Sequence, residues 1–262
     1  MTRPTDAPPP TASRPVALVT GGAVRIGRAI ALSLARNGYD VVVHSRCLRP
    51  DGETIQGEIA AAGARAALVC ADLADHEALA DLLPAAERAL GPVSLLVNNA
   101  SEFHGDEVGA LQPAVWDRHF DVNLRAPVLL AEALAARLPP GTAGAVVNIL
   151  DQRVLKPTPR FFSYSLAKAG LWQATRMLAQ ALAPRVRVNA VAPGPTLRNV
   201  RQDAEAFARQ SGAVPLGRGP TPEEIAGAVL FLAGASSVTG QTVAVDGGQH
   251  LAWETPDATG PE

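Results

Sequence analysis

Tyr164 and Lys168 stand four positions apart in a stretch of helical period covering residues 161–182, so both side chains lie on one helix face. A free phenol titrates near about 10 and moves protons poorly at neutral pH. A neighbouring ammonium favours the phenolate and lowers that value toward the working range, which makes the pair an acid/base device. A tyrosine and a lysine at this spacing are a weak signal alone. The chain has only two tyrosines, however, and the sequence upstream supplies a context.

That context is the run Thr20-Gly21-Gly22-Ala23-Val24-Arg25-Ile26-Gly27, which follows a short apolar strand at 16–20 and opens a helix at 27–37. Glycines at such a turn let main chain approach a pyrophosphate, and the unpaired N–H groups of the helix start favour its charge. No Gly-Lys-Ser/Thr follows, so the turn is not a P-loop. An enzyme selecting NAD carries Asp or Glu near the end of the second strand, about 20 residues past the turn. This chain has His44, Ser45 and Arg46 there. A guanidinium at that place, with Arg25 in the turn itself, pairs with the 2′-phosphate of NADP, so NADPH is the expected cofactor.

The elements that must position these groups alternate. Short β-branched runs at 40–45, 66–70, 93–98, 145–150, 186–191 and 242–245 are separated by helical segments at 53–62, 76–90, 113–138, 161–182 and 223–232. This is the pattern of repeated βαβ units, hence a single α/β domain with a doubly wound parallel sheet of about seven strands. With 262 residues, 47% of them hydrophobic and only 4% aromatic, the chain is long enough for one well-buried sheet. The domain is expected over residues 15–251, with tails at 1–14 and 252–262 and a substrate flap with a short helix inside it at 195–222.

The formal charge of −2 and the lack of a basic run argue against nucleic acid. No apolar run reaches membrane-span length. Cys47 and Cys70 form no C-x-x-C, and the five histidines show no metal-ligand spacing, so no metal is expected and a reducing cytoplasm fits. His44 and His104 are expected at a surface or pocket edge. There is no G-x-S-x-G elbow.

From Arg14 to Leu251 the chain resembles the short-chain dehydrogenases/reductases, whose fold is a Rossmann-type sheet. Thr20 to Gly27 is similar to the cofactor turn of that family, Asp72-Leu73 to its adenine-side position, and Asn98-Asn99-Ala100 to its strand-four motif. Asn123, Tyr164 with Lys168, Pro193-Gly194 and Asp246-Gly247-Gly248 match further motifs. The resemblance implies cofactor contacts from Gly21, Ile26, Gly27, Asp72, Leu73, Asn99, Ala100, Pro193 and Gly194. It also implies that Lys168 binds the nicotinamide ribose, that Asn123 helps to hold a water in a proton relay, and that the protein is a homotetramer.

Two departures from the common pattern are informative. Arg25 replaces a glycine of the turn, and Asp151 replaces the serine thirteen residues before the tyrosine. Both resemble pteridine and dihydromonapterin reductases, as do Ser101, Phe103 and His250-Leu251. That likeness implies that Phe103 stacks a flat pterin ring against the nicotinamide, with Ser101 beside it and Arg25 facing both the pterin carbonyl and a cofactor phosphate. Chemistry points the same way. A ketone develops negative charge on oxygen as it is reduced, which a carboxylate at Asp151 would oppose. A pterin offers N–H donors and a C=N bond, so Asp151 can accept from the ring or help Tyr164 to protonate nitrogen. The expectation is NADPH-dependent reduction of a dihydropterin or dihydrofolate. The alternatives are a reductase of an unrelated carbonyl compound and a catalytically idle NADP-binding sensor or scaffold. Gln152 and Arg153 receive no role.

Overall fold

In the computed structural model of the chain the described residues are 14–47, 50–198 and 202–253. Positions 1–13 and 254–262 of the expected tails, and 199–201 of the expected flap, lie outside them. Seven strands form one sheet: β1 (Val16–Thr20), β2 (Asp40–Ser45), β3 (Ala66–Cys70), β4 (Val93–Asn98), β5 (Gly144–Ile149), β6 (Val186–Pro193) and β7 (Thr242–Val245). All adjacent pairs are parallel, in the order β3-β2-β1-β4-β5-β6-β7. The chain reverses its direction of travel across the sheet between β1 and β4, and a crevice opens there at the carboxyl ends of the strands.

Helices close both faces. On one side α1 (Arg25–Arg36), α2 (Pro50–Ala61) and α8 (Pro222–Gly234) pack Ile30, Leu34, Ile55, Ile59 and Val229 onto β1, β2, β4 and β5. On the other, α3 (His76–Leu90), α5 (Ala126–Arg137) and α6 (Phe162–Leu182) contribute Leu82, Leu83, Leu130, Leu134 and Ala179. With both faces covered, β1 and β5 have no solvent side and read as unbroken buried runs. α7 (Ala204–Gly212) has no buried residue, and its Phe207 and Gln210 border the crevice.

The expected unbroken helix over 113–138 is divided. α4 (Pro113–Phe120) gives way to a π-turn at Asp121–Arg125 before α5 begins. Pro127 accounts for this, because it has no N–H for the Asn123 carbonyl four residues earlier and its ring crowds that position. π-Turns of this kind concentrate at functional sites.

A buried polar ladder fixes α6 to the sheet. Asn98 on β4 donates to Asn148 on β5 at 2.9 Å, Asn148 donates to Thr175 on α6 at 2.9 Å, and Thr175 donates to the Leu171 carbonyl at 2.8 Å. Removing one member strands its partners in a dry interior, which costs more than the bond itself contributes.

Candidate active site

The crevice encloses a cavity of about 660 Å³. At its floor the glycine turn is built for close approach. Gly21 has φ 61°, and a Cβ on Gly27 would fall on the Gly21 carbonyl oxygen, so neither position accepts a side chain without strain. Thr20 Oγ1 accepts from the N–H groups of Asn99 and Ala100 at 2.9 and 3.0 Å, while Asn99 Nδ2 donates to the Thr20 and Gly21 carbonyls. The Asn-Asn-Ala motif thus holds the turn rigid. No side chain caps the first N–H groups of α1, which leaves them available to an anion. A cofactor pyrophosphate fits this arrangement.

On the expected adenosine side His44, Ser45, Arg46, Asp72 and Leu73 all line the crevice. His44 is buried, with Nδ1 accepting from Gly21 N at 3.3 Å and Nε2 bonded to the Ala71 carbonyl at 3.0 Å. Burial lowers its pKa. With both ring nitrogens committed to main chain, His44 sits at the pocket edge, as expected, and braces the turn from within. Ser45 turns its hydroxyl to the Cys47 carbonyl. Arg46 is paired with Glu102 at 2.9 Å, and Arg118 joins Glu102 to Asp72 at 2.9 and 2.8 Å. Burial opposes ionisation of Glu102, but bonds from Arg118 and His104 outweigh it and hold the carboxyl below its ordinary range. Motif matching could not find Glu102 or Arg118, since they meet Arg46 and Asp72 only in the folded chain. Leu73 is buried beside them.

At the other end Tyr164, Lys168 and Asp151 converge. The Tyr164 hydroxyl donates to Asp151 Oδ2 at 3.0 Å, and Lys168 Nζ donates to the Ile149 carbonyl at 2.7 Å, 5.9 Å from the phenol ring centre. The expectation that Lys168 lowers the phenol pKa is overturned for this arrangement. Burial first, and the Asp151 charge second, push Tyr164 well above 10, while Arg153 and the Ser101 hydroxyl oppose them. The ammonium is itself buried and its pKa falls to about 8. The phenol therefore holds its proton, the state a donor needs. Arg153 donates its main-chain N–H to Asp151 Oδ1 at 2.9 Å and its guanidinium to Oδ2 at 2.8 Å.

Phe103 stacks on Phe161 with ring centres 4.3 Å apart and planes 11° apart, and meets Tyr164 at 4.7 Å and 79°. One of its faces is therefore spent on Phe161, a residue that carried no signal in the sequence. The Arg153 guanidinium is 5.6 and 5.3 Å from the two ring centres, nearly equidistant, so it lies beside the stack. Arg25, also in left-handed backbone at φ 55°, directs its guanidinium away from the turn to the carbonyls of Leu197 and Arg198. Arg25 and Leu197 both border the crevice. Asn123 gives both side-chain polar atoms to the Glu102 main chain, at 2.9 and 2.8 Å. Its side chain thus fastens the loop before Phe103. Ile26, Pro193 and Gly194 border the cavity, and a Cβ on Gly194 would strike Asp246. Among the described residues no group of three or more His, Cys, Asp or Glu could hold a metal ion, and no helix is long and apolar enough to cross a membrane.

A doubly wound parallel sheet, an uncapped helix start beneath a glycine turn and a buried Tyr–Lys pair beside the crevice together define an α/β oxidoreductase. A family model described as enoyl-(acyl carrier protein) reductase matches residues 22–250. A short-chain type dehydrogenase/reductase from Picea abies is 34% identical, covering 89% of this chain and 92% of its own. A 3-oxoacyl-[acyl-carrier-protein] reductase from Synechocystis is also 34% identical, over 90% and 97%. The crystal structure of FolM alternative dihydrofolate reductase 1 from Brucella canis, complexed with NADP, is 52% identical with a TM-score of 0.90, covering 94% of this chain and 97% of that one. The chain belongs to the short-chain dehydrogenase/reductase family.

Proposed function

We propose that the protein is an NADPH-dependent reductase of a dihydropterin-type substrate, a dihydrobiopterin, dihydromonapterin or dihydrofolate. The observation that carries this reading is the Asp151 carboxylate, paired with Arg153 and accepting the Tyr164 hydroxyl. The 52% identity to an NADP-bound dihydrofolate reductase supports it. When bound, NADPH would supply the hydride for a ring carbon. Tyr164 delivers its proton to the adjacent nitrogen, and its raised pKa keeps that proton in place until a basic atom arrives. Lys168 and the glycine turn fit the ribose and pyrophosphate, and Arg46 fits the 2′-phosphate. Asp151 accepts from the N–H groups of a pterin and repels a developing oxyanion, so the site discriminates between C=N and C=O. Phe103 and Phe161 form an aromatic shelf for a planar ring.

Reduction of a carbonyl compound is the second reading, favoured by the 34% identity to a 3-oxoacyl reductase. The fall in NADPH absorbance with a panel of dihydropterins and small ketones decides between them. Turnover of ketones alone removes the pterin reading, and NADPH binding without any turnover removes both. We also propose a homotetramer, joined through exposed apolar side chains of α5, α6 and α8 such as Leu129, Met177 and Phe231. A monomer in sedimentation would refute this.

A further inference from the structure

Beside Tyr164 lies a Ser–His–Asp cluster, buried at its serine and histidine and half-buried at its aspartate, that the proposed chemistry does not use. His119 on α4 and Ser163 on α6 are both fully buried. His119 Nδ1 is 2.6 Å from Ser163 Oγ, Ser163 Oγ donates to Asp106 Oδ2, and His119 Nε2 accepts from His104 N at 3.0 Å. These contacts set the direction of every proton. The His104 amide can only donate, so Nε2 is the bare nitrogen and the neutral ring carries its proton on Nδ1. That proton goes to the serine, and the serine proton goes to the carboxylate. The order is the reverse of a nucleophilic triad, in which imidazole takes the proton of serine, so Ser163 is not an activated nucleophile. Burial keeps the imidazole below its usual range, with His104 adding to this and Asp106 and Glu102 opposing it; the other group at the ring is Tyr164, 5.9 Å away and edge-on.

The cluster joins two parts of the site. His104 and Asp106 belong to the loop that carries Ser101, Glu102 and Phe103, whereas Ser163 immediately precedes Tyr164. Phe161, at the N-cap of α6, is left-handed at φ 56° and offers no capping side chain. The loop supplies the cap instead. The Asp106 carboxylate accepts from Ser163 N at 3.2 and 3.3 Å, and the Asp106 carbonyl accepts from Phe162 N at 3.2 Å. The start of the catalytic helix and the loop bearing Phe103 therefore order together.

We propose that His119, acting through Ser163 and Asp106, is a positioning residue that sets Phe103 against Tyr164 and so controls substrate binding. This builds on the reading of Phe103 as the ring that receives the substrate. His119→Phe keeps the ring and deletes both bonds, whereas His119→Gln can still accept from His104 and donate to Ser163. On whichever substrate the wild-type enzyme reduces, His119→Phe raises KM about tenfold or more and lowers kcat much less. NADPH affinity stays within about twofold, and His119→Gln restores most of KM. Ser163→Ala, a small change that leaves the cap of α6 in place, gives the same direction and serves if His119→Phe does not fold. Nitrogen-15 NMR of the wild-type histidines finds His119 protonated on Nδ1. An Nε2–H tautomer, an unchanged KM in folded His119→Phe or Ser163→Ala, a Gln variant as impaired as Phe, or a parallel loss of NADPH affinity overturns the proposal. Failure of the pterin reading shows separately, as a wild type that reduces only ketones.

Discussion

Asp151 accepts the Tyr164 hydroxyl at 3.0 Å while bonded twice to Arg153, through that residue's main chain and its guanidinium. The carboxylate is thus anchored, and it stabilises the protonated phenol.

Asp151→Ser should lower dihydropterin reduction by roughly 100-fold, the low end of the contribution of a positioned acid/base group. NADPH affinity should stay within about twofold of the wild type, because the carboxylate adjoins the substrate end of the crevice. The same variant should gain activity on small ketones, since a hydroxyl can donate to an oxyanion that a carboxylate repels. An undiminished pterin rate in steady-state assays would refute the role given to Asp151.

Arg153→Met should remove the partner of Asp151 and the cation beside the Phe103–Phe161 stack. The expected result is a loss in kcat/KM of about tenfold or more, from charge-assisted bonds worth roughly 1.5–3 kcal/mol. NADPH titration by fluorescence should show no matching loss.

Lys168 links activity to stability through its lowered pKa. Its proton is held less tightly in the folded chain, at about 8, than at the ordinary value of 10.5. Between these values the unfolded chain keeps a proton that the folded chain has released, so stability rises with pH across that window; below it the burial penalty is complete and constant. Lys168→Met should therefore abolish turnover yet stabilise the cofactor-free protein at pH near 7, by on the order of 3 kcal/mol. That gain should shrink as pH climbs from about 8 toward 10.5. Urea unfolding at two pH values measures it, and a variant less stable than wild type at neutral pH would contradict the argument.

Arg46→Ala should weaken NADPH binding by roughly 10-fold or more while leaving NADH almost unaffected, because a charge-assisted bond to the 2′-phosphate would be lost. The same substitution also frees Glu102 from its 2.9 Å ion pair. An equal change for both cofactors, read by fluorescence titration, would show that Arg46 acts only through that pair.

Local pattern and short-range chemistry made much of this protein legible. Alternating apolar runs and helical periods specify the parallel sheet, and β3, α3, β4 and β7 begin and end where the sequence places them. Helix ends were harder, because the start of α1 at Arg25 requires left-handed backbone at a non-glycine residue. The break at Asp121–Arg125 has one local signal, Pro127, which lies beyond it in the first turn of α5.

Tyr164 and Lys168 were legible because a helix repeats every few residues, so four positions fix a shared face whatever surrounds them. Their electrostatics were not. Whether an ammonium lowers a phenol's pKa depends on burial, on Asp151 and on where Lys168 spends its hydrogen bond, and these are settled by β5 and the loop after it. In the same way His44 became an interior brace, Arg25 reached the Leu197 and Arg198 carbonyls, and Glu102, Arg118, His119 and Phe161 joined the site. The sequence by itself determined which elements form and which residue types can react. Only the tertiary structure decided which charges face one another and how much water they keep, since solvation and Coulomb energy depend on distance through space and not along the chain.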